Sequence, residues 1–209
     1  MKSLGKSAKK LFFNNHVFYV LRNVYEPAED TILLAGNLAV NRNDVVLDMG
    51  TGCGILGTLA AKKARKVVAV DINPYAIRCA KLNAKLNDVV DKMDIRQGDL
   101  FEPIKKTERF SIIIFNAPYL PTEAGEQKTW VGKAWAGGPN GRRIIDRFIL
   151  QAPDYLKRDG RLLLVGSTLS SVDETIRELE EKGMQVRVLV ERKVAFETII
   201  VIQAKRTAL

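Results

Sequence analysis

The sequence contains few of the residues from which metal centres and disulfide frameworks are built. It has two cysteines, Cys53 and Cys79, and one histidine, His16. Two cysteines supply no disulfide framework, and a zinc site needs about four ligands. A single histidine also argues against a histidine-based metal centre and against a Ser-His-Asp triad. We therefore expect no metal site, and the free thiols favour a reducing compartment.

Long apolar runs are lacking as well. No run reaches the roughly 20 residues needed to cross a bilayer, so we expect no membrane partner. The basic residues 1–10 are not followed by the apolar stretch and cleavage site of a signal peptide. We interpret residues 1–15 as a basic N-terminal tail and expect the chain in the cytoplasm.

Negative charge is in the minority, and the formal net charge is +9. A basic face often meets phosphate, so RNA, DNA and a ribosome-associated partner have to be considered. A lysine-rich solvated surface explains the same charge without any such partner. Charge alone therefore decides nothing about the substrate.

The 209 residues suit one domain, which we place at residues 16–209 because no repeat or linker divides them. Strand-like and helix-like segments alternate, and this pattern predicts an α/β fold with helices on both faces of a sheet. Seven strands are predicted, at residues 45–49, 67–71, 93–97, 110–115, 161–166, 185–191 and 197–203. Helices are predicted at residues 55–63, 74–86, 141–156 and 171–182, preceded by a possible strand at 16–24 and helix at 28–38.

The last two predicted strands are joined by only about five residues, so they should form an antiparallel hairpin. The expected architecture is therefore a Rossmann-like, mostly parallel seven-stranded sheet with an antiparallel C-terminal strand.

A glycine-rich motif, DMGTGCG at residues 48–54, lies between the first strand of this sheet and a helix. Glycines there, Gly50 and Gly52 among them, allow a tight turn and the close approach of a ligand to bare backbone. The next strand ends in Asp71, about 20 residues on, where an acid can accept both ribose hydroxyls. Asp71 also precedes a helix, which it could instead cap.

The third strand is followed by Asp99 and Leu100. An acid at this edge of the sheet can accept the exocyclic amine of adenine, and the leucine supplies a flat apolar contact. Doubly wound sheets bind their ligands at successive strand ends. These features predict an adenosine-containing ligand, but they do not separate NAD from S-adenosylmethionine.

The fourth strand ends in the motif Asn116-Ala117-Pro118-Tyr119. An amide nitrogen is a poor nucleophile, and two acceptors that bind its hydrogens can aim its lone pair at a sulfonium methyl group. Asn116 Oδ1 and the Ala117 carbonyl can be those acceptors. Pro118 fixes the turn, and Tyr119 offers a flat face. The motif predicts methyl transfer from S-adenosylmethionine to a planar nitrogen.

The segment after this motif, residues 117–140, has no clear period, and a loop of that length is usually functional. It contains Trp130 and Trp135, which could pack the loop onto the core or face the substrate.

The chain resembles the HemK-related class I methyltransferases, particularly the archaeal and eukaryotic branch that methylates the class 1 translation termination factor. The resemblance covers nearly the whole chain after the basic tail. Its motifs are VYEPAEDT at residues 24–31, DMGTGCG at 48–54, DINP at 71–74 and, most specifically, AWAGGPNGR at 134–142 with DRF at 146–148. The family pattern is Asn-Pro-Pro-Tyr, and this chain has Ala117 at the first proline.

The resemblance implies a class I methyltransferase fold in which residues 16–40 cover the cofactor and substrate. It implies cofactor contacts at Thr31, Asp48, Gly50, Asp71, Asp99 and Leu100, to which we add Gly52 and Asn116. The implied substrate is the glutamine of a Gly-Gly-Gln loop, methylated at its side-chain nitrogen and recognised by residues 116–119. Members of this branch often work with a small zinc-binding activator subunit.

The main alternative is a DNA or RNA methyltransferase that acts on the amino group of adenine or guanine, since the same acceptors suit an exocyclic amine. A non-catalytic binding protein and an NAD-linked oxidoreductase fit less well. The intact motif at Asn116 argues against the former, and no candidate pair for hydride transfer supports the latter.

Overall fold

The structure, a computed structural model that describes residues 8–123 and 125–206, begins with a hairpin. Strand β1 (Ala8–Phe13) pairs antiparallel with β2 (His16–Leu21). Asn14 and Asn15 join the strands with positive φ, as a two-residue type I′ turn requires. The predicted tail at residues 1–15 is therefore wrong from residue 8 onward, because the asparagine turn pairs these residues with β2. Residues 1–7 lie outside the described residues.

After the hairpin the chain alternates between helices and strands, as predicted. In chain order the elements are α1 (Glu29–Gly36), β3 (Val45–Met49), α2 (Ile55–Ala61), β4 (Lys66–Asp71), α3 (Pro74–Leu86), β5 (Met93–Gln97), β6 (Phe110–Asn116), α4 (Trp130–Trp135), α5 (Arg143–Gln151), β7 (Leu156–Ser167), α6 (Val172–Glu181), β8 (Met184–Lys193) and β9 (Thr198–Arg206).

Strands β3 to β9 form one sheet in the order β5-β4-β3-β6-β7-β9-β8. Strand β9 runs antiparallel to both of its neighbours, and the other adjacent strands are parallel. This confirms the predicted seven-stranded sheet with a reversed C-terminal strand. The chain builds outward from β3 in both directions, and such a switch point opens a crevice at the carboxyl ends of the strands.

The central strands make the core. Ile112, Ile113 and Ile114 of β6 are all 0% exposed, so side chains on both faces of this strand are buried. An unbroken apolar run is what a strand covered on both faces requires. The buried strand carries the Asn116 motif at its end, and its burial fixes where that motif lies.

Two predicted boundaries are corrected. The expected loop at residues 117–140 contains α4, which the Thr129 side chain caps by accepting from Gly132 N at 2.9 Å. The helix predicted at residues 141–156 ends at Gln151 and gives way to a 3₁₀ turn that includes Pro153. Proline cannot continue a helix because it lacks the N–H.

Candidate active site

A cavity of about 350 Å³ lies at the carboxyl ends of the central strands. Among the described residues, it is lined by parts of α1, the glycine loop, the ends of β4 to β6, and α4 and α5. The predicted site residues at its wall are Thr31, Gly50, Gly52, Asp71, Asp99, Leu100, Asn116, Ala117, Pro118 and Tyr119. The sequence motifs that were far apart in the chain therefore share one cavity.

The glycine loop has the backbone that its composition predicts. Gly50 has φ +62° and Gly54 has φ +84°, a region that other residues rarely adopt. A Cβ on Gly50 would lie 3.1 Å from the Phe115 ring, and one on Gly54 would lie 2.9 Å from Ala80 Cα. Bare backbone is thus needed here, and it leaves N–H groups and space at the cavity wall.

Asp48 holds this loop from behind. It is 0% exposed, and its Oδ2 accepts from Thr51 Oγ1 at 2.5 Å and from Gly57 N at 2.8 Å. Burial raises the pKa of Asp48 to about 7. The carboxyl group therefore positions the loop, and its predicted contact with the cofactor stays a prediction.

Asp71 is held in place by the loop beside it. Its Oδ2 accepts from Gly52 N and its Oδ1 from Asn73 N, each at 2.8 Å. Asn73, not Asp71, caps α3 by accepting from Tyr75 N at 2.9 Å. Burial raises the pKa of Asp71, and the two N–H donors oppose that rise. Each carboxylate oxygen keeps a lone pair for a further donor, which suits two neighbouring hydroxyls.

Asp99 and Leu100 lie at the next strand end. Asp99 Oδ2 is paired with Arg147 of α5 at 2.7 Å, so one oxygen is engaged and the other is left for a ligand. Leu100 is 7% exposed and has φ +48°, an uncommon backbone for a leucine. Sequence reasoning assigned no role to Arg147, although it stands in the family-like stretch at 146–148.

Asn116 ends β6 with its side chain turned to α1. Its Nδ2 donates to Thr31 Oγ1 at 3.0 Å. Its Oδ1 is buried and has no hydrogen-bond partner among the described residues. A buried acceptor without a donor is costly unless a ligand satisfies it. This oxygen is the strongest sign of a substrate site in the cavity.

Ala117 and Tyr119 continue the motif, and both are buried at 3% and 7% exposure. The Tyr119 hydroxyl donates to Asp30 Oδ2 at 3.5 Å. Burial and the Asp30 carboxylate raise the pKa of Tyr119 above its ordinary value. Tyr119 therefore stays neutral with its hydroxyl hydrogen directed to Asp30, and it offers the cavity a flat ring.

The segment at residues 134–142 packs directly against this motif. Leu120 N donates to Trp135 O at 3.1 Å, and Gly137 N donates to Leu120 O at 2.8 Å. A Cβ on Gly141 would lie 2.3 Å from Tyr119 O, so only glycine allows this approach. Trp130 and Trp135 both line the cavity, which favours the substrate-facing alternative for the two tryptophans.

Arg142 fastens this segment to α6, and sequence reasoning missed it. The side chain is 1% exposed and lies 2.8 Å from Asp146 and 3.0 Å from Glu178. It also donates to Thr175 Oγ1 at 2.8 Å. Its partners on α6 are about 30 positions away, so no local pattern pointed to them.

Within residues 8–123 and 125–206, no group of three histidine, cysteine, aspartate or glutamate side chains could hold a metal ion. In the same part of the chain, no helix has both the length and the apolar character that a membrane span needs.

Comparison with known proteins adds to this geometry. The family model "Methyltransferase small domain" matches residues 28–196. A protein of Methanocaldococcus jannaschii, named as a protein N5-glutamine methyltransferase, is 46% identical over 88% of this chain and 92% of its own. Human methyltransferase HEMK2 is 32% identical over 91% of this chain and 94% of its own.

A solved structure also resembles the chain. It is the E. cuniculi Mtq2–Trm112 complex, described as responsible for the methylation of the eRF1 translation termination factor. The match has a TM-score of 0.69 and 27% identity, and covers 88% of this chain and 99% of that one.

Proposed function

Because the chain belongs to the methyltransferase small domain family and, within it, to the HemK-related protein glutamine methyltransferases, we propose that it methylates the side-chain amide of a glutamine. The substrate glutamine belongs to the Gly-Gly-Gln loop of the class 1 translation termination factor. S-adenosylmethionine is the methyl donor.

One observation carries the proposal: Asn116 Oδ1 is a buried acceptor with no partner among the described residues, at the wall of the cavity. An amide NH₂ group offers two hydrogens, so it needs two acceptors that hold it in a fixed direction. Asn116 Oδ1 takes one hydrogen and the adjoining Ala117 carbonyl takes the other. When the amide is held in this way, its nitrogen lone pair has one fixed direction. The rate of methyl transfer is then increased by positioning, and no strong base is needed.

The residues at the strand ends fit S-adenosylmethionine. Asp71 would hold the ribose hydroxyls, and Asp99 and Leu100 would hold the adenine. The glycine loop would contact the part of the cofactor that lies nearest the N-terminus of α2. When bound, the cofactor supplies an electrophilic methyl group. Thr31 and Asn116 line the same cavity.

The N-terminal segment supports the same assignment. Tyr25, Asp30 and Thr31 line the cavity, which supports residues 16–40 as a cover over cofactor and substrate, within a single domain that also includes strand β1. Lys133, Arg143 and Arg147 line it as well, and they account for part of the basic character without nucleic acid.

The solved E. cuniculi complex is described as methylating the eRF1 termination factor, and this supports the choice of a termination factor here. The glycines that precede the glutamine have no side chains, so the loop can enter a narrow cavity and bring the glutamine to Asn116. By the same likeness, a small activator subunit comparable to Trm112 joins this chain. The site of action is the cytoplasm, where termination takes place.

The test is a methyl-transfer assay with labelled S-adenosylmethionine and three acceptors: recombinant termination factor, RNA and DNA, with and without an activator subunit. We expect label on the factor alone, and mass spectrometry should place one methyl group on the glutamine. The matched control is the factor with Asn in place of that glutamine. Label on nucleic acid alone would overturn the proposal in favour of a base methyltransferase.

A further inference from the structure

Asp30 is a buried acid at the start of α1 that the proposed chemistry does not use. Its side chain lies between α1 and the Asn116 motif and is 5% exposed. Oδ1 accepts from Thr31 N at 2.5 Å and from Thr31 Oγ1 at 3.1 Å. Oδ2 accepts from the Tyr25 hydroxyl at 3.2 Å and from the Tyr119 hydroxyl at 3.5 Å. Every one of these neighbours donates, so the carboxylate acts only as an acceptor.

The Thr31 hydroxyl therefore has a fixed direction. A hydroxyl has one hydrogen and two lone pairs, and the hydrogen of Thr31 goes to Asp30. Toward Asn116 it can only accept, and Asn116 Nδ2 donates to it at 3.0 Å. The three groups form a one-way chain of donors that ends on a carboxylate.

This chain decides which way round the Asn116 amide lies. The two ends have the same shape, so packing alone does not distinguish them. If the amide were reversed, Oδ1 would face the Thr31 oxygen, whose hydrogen is already committed to Asp30, and two acceptors would meet. The observed orientation leaves Oδ1 without a partner, ready for a substrate hydrogen.

We propose that Asp30 is a positioning residue that acts through Thr31 to hold the Asn116 amide with its oxygen toward the substrate. The role rests on the proposed function, since only a donor substrate needs an acceptor at this point. It also gives the Thr31 hydroxyl a duty other than the cofactor contact that the family resemblance implies. Tyr25 and Tyr119 complete the set of donors that keeps the carboxylate fixed.

The role of the Thr31 hydroxyl is tested by one substitution that keeps the shape of threonine without the hydroxyl and by another that keeps the hydroxyl. Thr31→Val removes the acceptor and should lower kcat by about 100-fold, with the Kd for S-adenosylmethionine within about 3-fold of the parent. Thr31→Ser keeps the hydroxyl and should recover most of kcat. If Thr31→Val instead raises the cofactor Kd and leaves kcat at saturating cofactor untouched, the hydroxyl serves the cofactor and the proposal is wrong.

The role of Asp30 is tested by comparing a substitution at Asp30 with one at Thr31. Asp30→Ala should lower kcat as far as Thr31→Val does, and the double variant should lose little more, because both break one chain. Glu29→Ala is the matched control, since Glu29 lies in the same first helical turn but is exposed. Additive losses in a folded double variant would contradict a shared chain. If Asp30→Ala does not fold, the comparison of Thr31→Val with Thr31→Ser tests the proposal.

A spectroscopic readout separates this proposal from the proposed function. In the parent protein one Asn116 Nδ2 proton should resonate at the position of a hydrogen-bonded amide, and Thr31→Val should shift it. This measurement needs no methyl acceptor, so it remains decisive if the termination factor takes no label. An Asn116 side-chain signal that does not move in Thr31→Val would overturn the orientation argument.

Discussion

The two walls of the cavity are built in different ways. On the wall proposed to bind the cofactor, Asp71 is fixed by backbone N–H groups of the glycine loop and of the turn that follows β4. On the substrate wall, Asn116 and Tyr119 are fixed by side chains of α1, which are 85 and 89 positions away along the chain. The first wall is a local structure, and the second is an assembly of distant segments.

This difference predicts how a substitution on each wall changes the contacts around it. The backbone donors on the first wall belong to the loop and turn next to Asp71, so a substitution there should disturb mainly these local contacts. On the substrate wall a single change breaks a chain of contacts that orders its neighbours. We therefore expect cofactor-wall variants to change the cofactor Kd, and substrate-wall variants to change kcat.

The largest effect is expected at Asn116. Asn116→Ala removes the acceptor oxygen from the substrate wall and should lower kcat by about 1,000-fold or more, while the cofactor Kd changes by less than about 10-fold. Steady-state methylation and calorimetry of cofactor binding measure the two quantities. Asn41→Ala, at an exposed asparagine in the turn before β3, is the control. Near-normal activity of the Asn116→Ala enzyme would contradict the proposed mechanism.

The second prediction concerns the opposite wall. Asp71→Ala removes the proposed acceptor of the two ribose hydroxyls and should raise the cofactor Kd by about 100-fold or more, since a hydrogen bond to a charged group is worth about 1.5–3 kcal/mol. At saturating cofactor, kcat should stay within several-fold of the parent. Asp91→Ala changes an exposed acid of the same kind and should leave both values alone. If Asp71→Ala lowered kcat and left the cofactor Kd unchanged, the two walls would not differ in the expected way.

How much the sequence could predict follows the same division. The glycine loop, Asp71 and Asp99 could be predicted to lie at the cavity because each stands at or just after the end of a strand that its own residues define. Strands β3 and β5 and helix α3 were predicted with the bounds they have. The roles of Asp30 and Arg142 were missed because the contacts of Asp30 with Tyr119 and of Arg142 with α6 are made only on folding. Helix α4 was missed although Thr129, its cap, was a local signal that could have indicated it.

The third prediction concerns a larger side chain at Gly141, which lies against Tyr119 of the substrate wall. Gly141→Ala places a Cβ 2.3 Å from Tyr119 O at a residue whose φ is +75°. We expect a loss of roughly 2 kcal/mol in the free energy of unfolding, together with a lower kcat because Tyr119 is displaced. Thermal melting and methylation assays would measure both.

The matched control for this change lies in α1. Gly36 has nothing within 4 Å of an added Cβ, and alanine is the better helix former. Gly36→Ala should therefore leave stability equal or slightly higher. If Gly141→Ala melted like Gly36→Ala, the segment at residues 134–142 would not hold the motif as tightly as its contacts indicate.

The smallest effect is expected where this chain departs from the family pattern. Ala117→Pro restores Asn-Pro-Pro-Tyr and keeps the backbone carbonyl that is proposed to accept the second substrate hydrogen. A proline at 117 also favours an extended backbone at Asn116, so kcat should stay within about 3-fold of the parent. Pro118→Ala, which loosens the turn without touching the carbonyl, should lower kcat further than Ala117→Pro does. A loss of more than about 30-fold in Ala117→Pro would mean that the backbone around Ala117, and not its carbonyl alone, is tuned on this wall.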